Sequence, residues 1–401
     1  MNVVFITVMR FDNIYDHNIY TDLMRKFRDE GHNVYIVFPR ERRYKEQTLF
    51  EKKDGVNYLG VKTLNIQKTH FLEKGLGTLL FESQMTSAIK RYLSDVKFDL
   101  ILYSTPPVTY TKILTYLKSN NPEATTYLLL KDIFPQNAVD LGLFSKKSLF
   151  YKLFRKKEKQ LYELSDFIGC TSQGNINFII RNNPDVDPRK LELAPNSSDI
   201  PQEEPNASEN KEIRIKYGLP LNKTIFVYGG NLGVPQGIPF LIKCLEANEH
   251  RKDCHFVIVG NGTEYSKLEN WISETTPQNV SLFKRLPKAD YDTLVRASDI
   301  GMIFLNFNFT VPNTPCRMLN YIIEKKPIVA ATDMGTDLGE IISSGNFGFW
   351  APSNDVDAFT KVIDQILNSD YKQMGEEGYK FFLNNYTTNH TYSAIVKHIH
   401  S

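Results

Sequence analysis

The sequence predicts an α/β protein of two tandem domains, each built on a doubly wound and mostly parallel sheet. Its 401 residues exceed what one hydrophobic core normally organises. Short apolar runs alternate with longer stretches of helical periodicity along almost the whole chain, a pattern typical of parallel sheets covered by helices. Between the two halves, residues 195–210 contain three prolines and three serines, which indicates an exposed connection.

The alternation predicts the individual elements. In the first half, strands are expected at 3–8, 33–38, 99–103, 126–130 and 167–171. A helix at 20–30 should end at Gly31, a residue suited to a C-terminal cap. In the second half, strands are expected at 224–228, 255–259, 280–283, 300–305 and 327–331, with a helix starting after Gly237.

These elements give predicted domain limits. Residues 1–198 form an N-terminal domain, 199–212 a linker and 213–380 a C-terminal domain. A final helical segment, 381–401, is expected to pack back on the N-terminal domain. Ligands of two doubly wound domains normally bind at the carboxyl ends of the strands, in the cleft between the domains.

Composition and charge indicate where in the cell the protein is expected to work. The sequence has no uninterrupted apolar run of about 18 residues, and its first residues do not resemble a signal peptide, so we expect a cytoplasmic protein. Residues 1–200 carry a net charge of +6 and residues 201–401 a net charge of −4, which favours an anionic surface as neighbour of the first half. The four cysteines lie far apart and suggest neither a disulfide framework nor a zinc site.

The sharpest motif is FVYGGNLGVPQG at 226–237, where an apolar run ends in Gly229 and Gly230 and a helix follows. Glycines at such a turn let backbone N–H groups approach a diphosphate, and the next helix presents its positive end. A tight strand-to-helix turn without a ligand is the alternative. The motif IVGNGTEY at 258–265 places Gly260 at a second turn of the same kind.

Together with ASDIGMIFL at 297–305 and TPCRMLNYIIEKKPIVA at 314–330, these motifs resemble, in their order, the donor-binding domain of GT-B fold, family 4 retaining glycosyltransferases. The resemblance implies two Rossmann-like domains facing each other across a cleft, a nucleotide-sugar donor and retention of anomeric configuration. Asn231 and Gln236 replace the family's usual Arg and Lys, and Pro312 and Asn320 replace its paired glutamates. This variant resembles a subset of bacterial capsule and O-antigen enzymes that includes L-fucosamine (FucNAc) transferases.

The resemblance assigns donor-binding residues. Arg285 and Arg317 are the candidates to neutralise the diphosphate; either could instead be a solvated surface arginine. Asn320 takes the position of a glutamate that meets the ribose, where an amide can still form hydrogen bonds. The full predicted donor set is Gly229, Gly230, Asn231, Gln236, Gly260, Arg285, Thr314, Pro315, Arg317 and Asn320.

Candidate catalytic residues lie in the N-terminal domain. Lys131 and Asp132 directly follow a buried strand, where polar side chains of open α/β sheets usually serve a site. Asp132 is expected to orient the acceptor or accept its proton, the alternative being a helix cap. In the turn after the first strand, Asp16 and His17 could face the acceptor, although a lone histidine in a loop is more often a surface residue.

No metal or other cofactor is expected. Asp185 and Asp187 match a DxD pattern that holds a metal-bound nucleotide in another glycosyltransferase fold. In this sequence the pattern falls in NNPDVDPRK, a connection between a helix and a strand, which favours a role in the turn.

A membrane-facing surface is predicted at 146–159, where seven basic residues accompany one acid and apolar residues at helical spacing. Its expected contacts with the membrane or acceptor are Lys146, Lys147, Phe150, Phe154, Arg155 and Lys156. A helix with one buried stripe and a solvated basic face is the alternative. An apolar loop at 71–81 is expected to add to this surface.

The sequence therefore predicts a peripheral enzyme on the inner face of the cell membrane. It would move a sugar, with N-acetyl-L-fucosamine as a candidate, from a UDP-sugar to a polyprenyl-diphosphate-linked saccharide during capsule or O-antigen synthesis, without nucleic acid as a partner. Two alternatives stay open at this point: a UDP-sugar 2-epimerase of the same architecture, and a noncatalytic nucleotide-sugar-binding partner.

Overall fold

The computed structural model describes residues 1–66, 71–200 and 207–399. They form two compact units, each with its own sheet. The N-terminal unit comprises Met1–Asp199 and Thr388–Ser401, and the C-terminal unit comprises Ile200–Thr387.

The strands of the N-terminal unit are β1 (Asn2–Ile6), β2 (Asn33–Glu41), β3 (Leu49–Lys53), β4 (Val56–Thr63), β5 (Leu100–Thr105), β6 (Thr125–Leu130), β7 (Phe167–Cys170) and β8 (Leu191–Leu193). Its helices are α1 (Ile19–Asp29), α2 (Phe71–Tyr92), α3 (Thr111–Asn120), α4 (Gln136–Asp140), α5 (Leu149–Leu164) and α6 (Gln173–Asn182), with α15 (Thr388–Val396) from the end of the chain. Short 3₁₀ turns occupy Arg42–Tyr44 and Pro188–Lys190.

The N-terminal sheet has the order β3-β4-β2-β1-β5-β6-β7-β8 and is parallel except at one edge. There β3 pairs with β4 in a hairpin whose turn residues, Asp54 and Gly55, have φ values of 51° and 79°. An Asp-Gly pair suits such a two-residue turn, because both positions need positive φ. The order reverses beside β1, so the loops after β1 and β5 lie at the point where open α/β sheets bind ligands.

The C-terminal unit contains the strands β9 (Thr224–Asn231), β10 (Cys254–Asn261), β11 (Val280–Phe283), β12 (Ile300–Phe304), β13 (Ile328–Thr332) and β14 (Gly348–Pro352). Its helices are α7 (Ala207–Lys216), α8 (Ile238–Ala247), α9 (Tyr265–Thr275), α10 (Lys288–Ala297), α11 (Arg317–Ile323), α12 (Leu338–Ser344), α13 (Val356–Leu367) and α14 (Tyr371–Asn385), and a 3₁₀ turn occupies Val234–Gln236.

The C-terminal sheet is parallel in every described pair and has the order β11-β10-β9-β12-β13-β14. This is the strand order of a dinucleotide-binding fold, with the switch point between β9 and β12. Both units therefore have Rossmann-like sheets, and the predicted fold class is confirmed. The core is made by fully buried strand residues such as Phe226, Phe256 and Phe304.

Three local expectations differ from the structure. Residues 71–81, expected as a loop, lie in helix α2. The predicted linker 199–212 is not all irregular, because α7 begins at Ala207; its residues 201–206 lie outside the described part of the chain. The predicted terminal segment 381–401 is divided, since α14 runs to Asn385 in the C-terminal unit and only Thr388 onward belongs to the N-terminal unit.

Helix α15 is held in the N-terminal unit by specific contacts. The Tyr392 hydroxyl lies 2.8 Å from Nε2 of His32, and its ring packs edge-on against Phe27. His398 stacks on Phe167 and its Nε2 lies 2.9 Å from a carboxylate oxygen of Glu192. Among the described helices, none is both long and apolar enough to cross a bilayer.

Candidate active site

The glycine turn predicted as a phosphate site lies where β9 and β10 end. In the register of these strands Gly230 pairs with Gly260. A Cβ atom on Gly260 would overlap the Gly230 carbonyl oxygen, and Gly230 itself has a φ of 138°, a region that L side chains rarely adopt. The two strand ends can approach this closely only because both residues are glycine, and of the two only Gly230 is exposed.

Arg317 is the cation beside this turn. It is the first residue of α11, and its Nη2 would lie 3.1 Å from a Cβ on Gly230. Its guanidinium carbon lies 4.5 Å from the centre of the Tyr228 ring, a cation–π distance. The Nη1 atom is buried and forms no hydrogen bond with any described group. No carboxylate of the described residues forms an ion pair with Arg317.

A buried guanidinium without an anion is costly, because burial removes the water that would otherwise solvate the charge. Arginine stays protonated at any physiological pH, so this cost is not removed by loss of the proton. The Arg317 side chain is thus prepared to receive an anion next to exposed backbone at Gly230.

Two further tyrosines, Tyr321 and Tyr291, contact the glycine turn at Gly229. The Gly229 N–H donates to the Tyr321 hydroxyl at 3.3 Å, and that hydroxyl donates to the Met302 carbonyl at 3.2 Å. The ring of Tyr291 covers Gly229 so closely that a Cβ atom there would overlap it. Burial raises the pKa of both tyrosines, so both stay neutral. Sequence reasoning missed these tyrosines, and Tyr228 too, because they come from three different elements.

Asn231 and Gln236 were predicted to take the positions of a cationic pair. The Asn231 Nδ2 donates to Gln236 Oε1 at 2.9 Å, and the Gly233 N–H lies 3.4 Å from the same oxygen. These bonds close the loop between β9 and α8. The two side chains thus hold each other in the loop, and Arg317 is the cation beside Gly230.

The other predicted donor residues surround α11 or lie at the next strand end. Thr314 and Pro315 are partly buried in the segment before α11, and Asn320 is exposed one turn after Arg317. Arg285 is exposed in the loop after β11, and no described contact joins it to the glycine turn. The structure therefore groups Arg317 with Gly229 and Gly230, and it does not bring Arg285 to them.

In the N-terminal unit, Asp132 follows β6. Burial raises the pKa of its carboxyl group above the ordinary 3.8. The Thr105 hydroxyl donates to the Asp132 carbonyl at 3.5 Å, while the carboxylate itself has no hydrogen bond or ion pair within the described ranges. A carboxylate that is partly desolvated and unpaired has the properties of a general base.

The remaining catalytic candidates are placed differently. The Lys131 Nζ donates to the carbonyls of Ala194 and Pro195, at 3.4 and 3.5 Å, and so points to the chain after β8. Asp16 and His17 are exposed in the turn before α1. No described contact connects either of them with Asp132.

His17, Asp22 and Asp199 form a cluster with the atom types of a metal site. Arg25 already occupies it, because its Nη2 lies 2.6 Å from Asp22 and 2.6 Å from Asp199. The guanidinium offsets one of the two carboxylate charges and holds oxygens of both residues that a metal ion would otherwise bind. The two aspartates of the DxD pattern are also engaged locally: Asp187 caps a 3₁₀ turn and pairs with Arg189, and Asp185 pairs with Lys159.

The predicted membrane surface is only partly exposed. Leu149, Phe150 and Leu153 of α5 have exposed fractions of 81%, 57% and 50%. Lys146, Lys147 and Lys156 are exposed as well.

Two residues of the predicted set face the protein instead. Phe154 packs edge-on against Phe134 at 5.0 Å. Arg155 pairs with the buried Glu158 at 2.6 Å and also bonds Asn183. Burying Glu158 requires a cation beside it, which is why Arg155 turns inward.

Comparisons with known proteins find similarity to glycosyltransferases. Residues 209–381 match the family model described as glycosyl transferases group 1. The probable glycosyltransferase WbjE of Pseudomonas aeruginosa is 24% identical over 315 residues, which cover 77% of this chain and 75% of that protein. The putative colanic acid biosynthesis glycosyl transferase WcaI of Escherichia coli K12 is 27% identical over 134 residues, about a third of each chain.

The similarity to solved structures covers the full length of the chain. Anabaena Alr3699/HepE in complex with UDP superimposes with a TM-score of 0.72, covering 100% of both chains at 14% identity. At that identity the likeness concerns the fold, and it includes both units. Residues 209–381 thus match the glycosyl transferases group 1 model, and the chain is a glycosyltransferase with the GT-B fold.

Proposed function

We propose that the enzyme transfers a sugar from a UDP-sugar to a polyprenyl-diphosphate-linked saccharide at a membrane surface, with retention, during synthesis of a capsular polysaccharide or O-antigen. The names of WbjE and WcaI, one of them a colanic acid enzyme, support a role in polysaccharide synthesis. N-acetyl-L-fucosamine is a candidate donor sugar on the resemblance of the motifs.

The observation that carries the proposal is the buried Arg317 guanidinium beside Gly230. A diphosphate supplies the anion that this cation lacks, and the exposed backbone at Gly230 lets it come close. Hydrogen bonds between a guanidinium and phosphate are charge-assisted and stronger than neutral ones. HepE has the same fold, and its complex with UDP supports uridine as the nucleoside of the donor.

Asp132 is proposed as the residue that orients the acceptor hydroxyl or accepts its proton. The raised pKa brings its carboxylate closer to the pH at which proton transfer operates. Asp16 and His17 stay candidates for acceptor contacts, since the exposed turn that holds them follows β1.

The exposed part of α5 is proposed to lie on the membrane. Leu143, Leu149, Phe150 and Leu153 present apolar side chains next to exposed lysines. Such a surface binds an anionic membrane interface both by burying apolar side chains and by electrostatic attraction. Each lysine near the interface contributes on the order of 1 kcal/mol. The lipid-linked acceptor would then reach the enzyme from the same surface.

The decisive experiment is a donor screen by mass spectrometry against a short polyprenyl-diphosphate-linked saccharide. We expect one UDP-sugar to extend the acceptor by one residue and to release UDP. Binding of UDP to the protein is measured separately by calorimetry. Failure of UDP to bind would remove the basis of the proposal.

The same screen without acceptor tests the epimerase alternative. An epimer formed from a UDP-sugar alone, with no dependence on acceptor, would contradict the transferase reaction. Tight binding of UDP-sugars without turnover on any lipid-linked acceptor would favour the noncatalytic alternative.

A further inference from the structure

Strands β9 and β12 separate at the switch point of the C-terminal sheet, beside the glycine turn. Their register holds over two pairs of residues, the second of which matches Val227 with Gly301. Both strands continue beyond this pair, to Asn231 and Phe304. On its other side β9 stays paired with β10 as far as Asn231. In the described strands, the glycine turn is therefore paired on the β10 side and open on the β12 side.

The hydroxyl group of Tyr321 occupies the gap between β9 and β12. If the register continued by one pair, the Gly229 N–H would donate directly to the Met302 carbonyl. Instead, this N–H donates to the Tyr321 hydroxyl at 3.3 Å, and the hydroxyl donates to the carbonyl at 3.2 Å. A side-chain oxygen thus replaces one hydrogen bond of the parallel ladder and holds the two strands apart.

Packing fixes the Tyr321 side chain in this position. The side chain is fully buried, and its ring lies so close to Gly301 of β12 that a Cβ atom there would overlap it. A buried hydroxyl needs hydrogen-bond partners, and the two backbone groups supply a donor and an acceptor. The bridge between the strands is therefore complete before any ligand binds.

The same helix carries the bridge and the cation of the donor site. Tyr321 follows Arg317 by four residues in α11, so both side chains lie on one face of that helix. Tyr321 contacts Gly229, and Arg317 lies beside Gly230. The bridge thus fixes α11 against the end of β9, and with it the position of the Arg317 guanidinium.

The bridge also keeps the turn open. Gly230 is exposed and has a φ of 138°. A direct hydrogen bond between Gly229 and Met302 would bring the two backbones to the spacing of paired strands, about 4.8 Å. That approach would narrow the opening in which Arg317 meets Gly230.

We propose that Tyr321 is a positioning residue for the diphosphate of the donor, an inference that rests on the proposed transferase function. Its hydroxyl keeps β9 and β12 apart and holds Arg317 level with the glycine turn. The cation and the exposed backbone of Gly230 are then in place before the donor arrives, which reduces the entropy lost on binding. Tyr321 acts through these groups and does not itself contact the donor.

The test is Tyr321→Phe in the full chain, which removes the hydroxyl and keeps the ring that packs on Gly301. Calorimetry measures the affinity for UDP, and an NMR titration measures the affinity for uridine, which lacks the diphosphate. We expect the dissociation constant of UDP to rise about tenfold, the effect of one lost hydrogen bond, and that of uridine to stay unchanged. A UDP-to-uridine affinity ratio equal to that of the wild type would show a purely structural hydroxyl and refute the inference.

Tyr103→Phe is the matched control. Tyr103 is fully buried in the N-terminal unit, and its hydroxyl also bridges two groups, lying 2.6 Å from Ser165 Oγ and 3.2 Å from the Leu161 carbonyl. Its loss should lower the Tm to a similar extent and leave the UDP-to-uridine ratio unchanged. An equally large change of this ratio in Tyr103→Phe would overturn the inference, because lost stability alone would then explain the result.

Amide hydrogen exchange in the wild-type protein is a second test, which needs no variant. The Gly229 amide should be protected in the absence of UDP, because its bond to Tyr321 is already formed. Protection that appears only with UDP would contradict a site fixed in advance. UDP calorimetry on the wild type separates this inference from the proposed function. If the wild type binds UDP and Tyr321→Phe keeps the wild-type ratio, only the positioning role is wrong; if the wild type does not bind UDP, the proposed function itself fails.

Discussion

Replacing Arg317 by methionine tests whether this residue binds a ligand or stabilises the fold. The substitution removes a buried Nη1 donor that has no partner, a defect that costs about 1–3 kcal/mol. It also removes the cation–π contact with Tyr228, which contributes about 0.5–2 kcal/mol. Because the two effects have opposite sign, we expect the free energy of unfolding to fall by no more than about 1 kcal/mol.

UDP binding should respond quite differently. Loss of one or two charge-assisted hydrogen bonds to the diphosphate, each about 1.5–3 kcal/mol, should raise the dissociation constant of UDP by at least about tenfold. Calorimetry gives the affinity, and thermal unfolding with and without UDP gives the stability. The UDP-induced rise in Tm should shrink in Arg317→Met.

Arg214→Met is the matched control. Arg214 is also partly buried, but it pairs with Asp299 at 2.8 Å and donates to the Ala297 carbonyl at 2.7 Å. Its loss should lower the free energy of unfolding by about 1–3 kcal/mol and leave UDP binding unchanged. The reasoning is refuted if Arg317→Met is the strongly destabilised variant or if it binds UDP like wild type.

Gly260→Ala should destabilise the C-terminal unit by about 1–3 kcal/mol, because its Cβ overlaps the Gly230 carbonyl; an unchanged unfolding midpoint in urea would contradict this. Asp132→Asn should lower the transfer rate on the order of 100-fold at unchanged UDP affinity and abolish the acidic limb of the pH–rate profile. Burial raises the pKa of Asp132, so its stabilisation is full below the ordinary 3.8 and is lost as the pH rises through the raised value. At neutral pH the asparagine variant should therefore be at least as stable as wild type. Phe150→Ser should reduce sedimentation with anionic vesicles, whereas Leu221→Ser, a control with a similarly exposed side chain, should not.

Much of the fold follows from local patterns. The apolar runs that become β1, β2, β5, β6 and β7, and those that become β9 to β13, all stand out from their surroundings because parallel strands are buried on both faces. The strands that sequence reasoning missed are β3, β4, β8 and β14, and all of these except β4 lie at a sheet edge. Every residue of β3 is exposed, and β8 has only three residues, so neither carries a buried apolar run.

One missed pair of strands, β3 and β4, does have a recognisable turn motif in the sequence. The Asp54-Gly55 pair between β3 and β4 is a common hairpin turn, and it could have predicted both strands. The segment 71–81 was misassigned because its glycines and apolar residues suggest a loop, whereas the structure continues it into the long helix α2. Local composition is a weak guide where a glycine stands inside a helix.

By itself, the sequence determined the class of the protein and the position of the glycine turn. Both depend on residues that are neighbours in the chain, such as Gly229 and Gly230. Only the tertiary structure decided which arginine lies beside that turn, because the sequence gives no reason to prefer Arg317 over Arg285. The folding of α11 against β9 brings Arg317 to Gly230 and packs tyrosines from three elements around it. Contacts between residues distant in sequence depend on how the helices and strands pack, and local sequence patterns do not predict that packing.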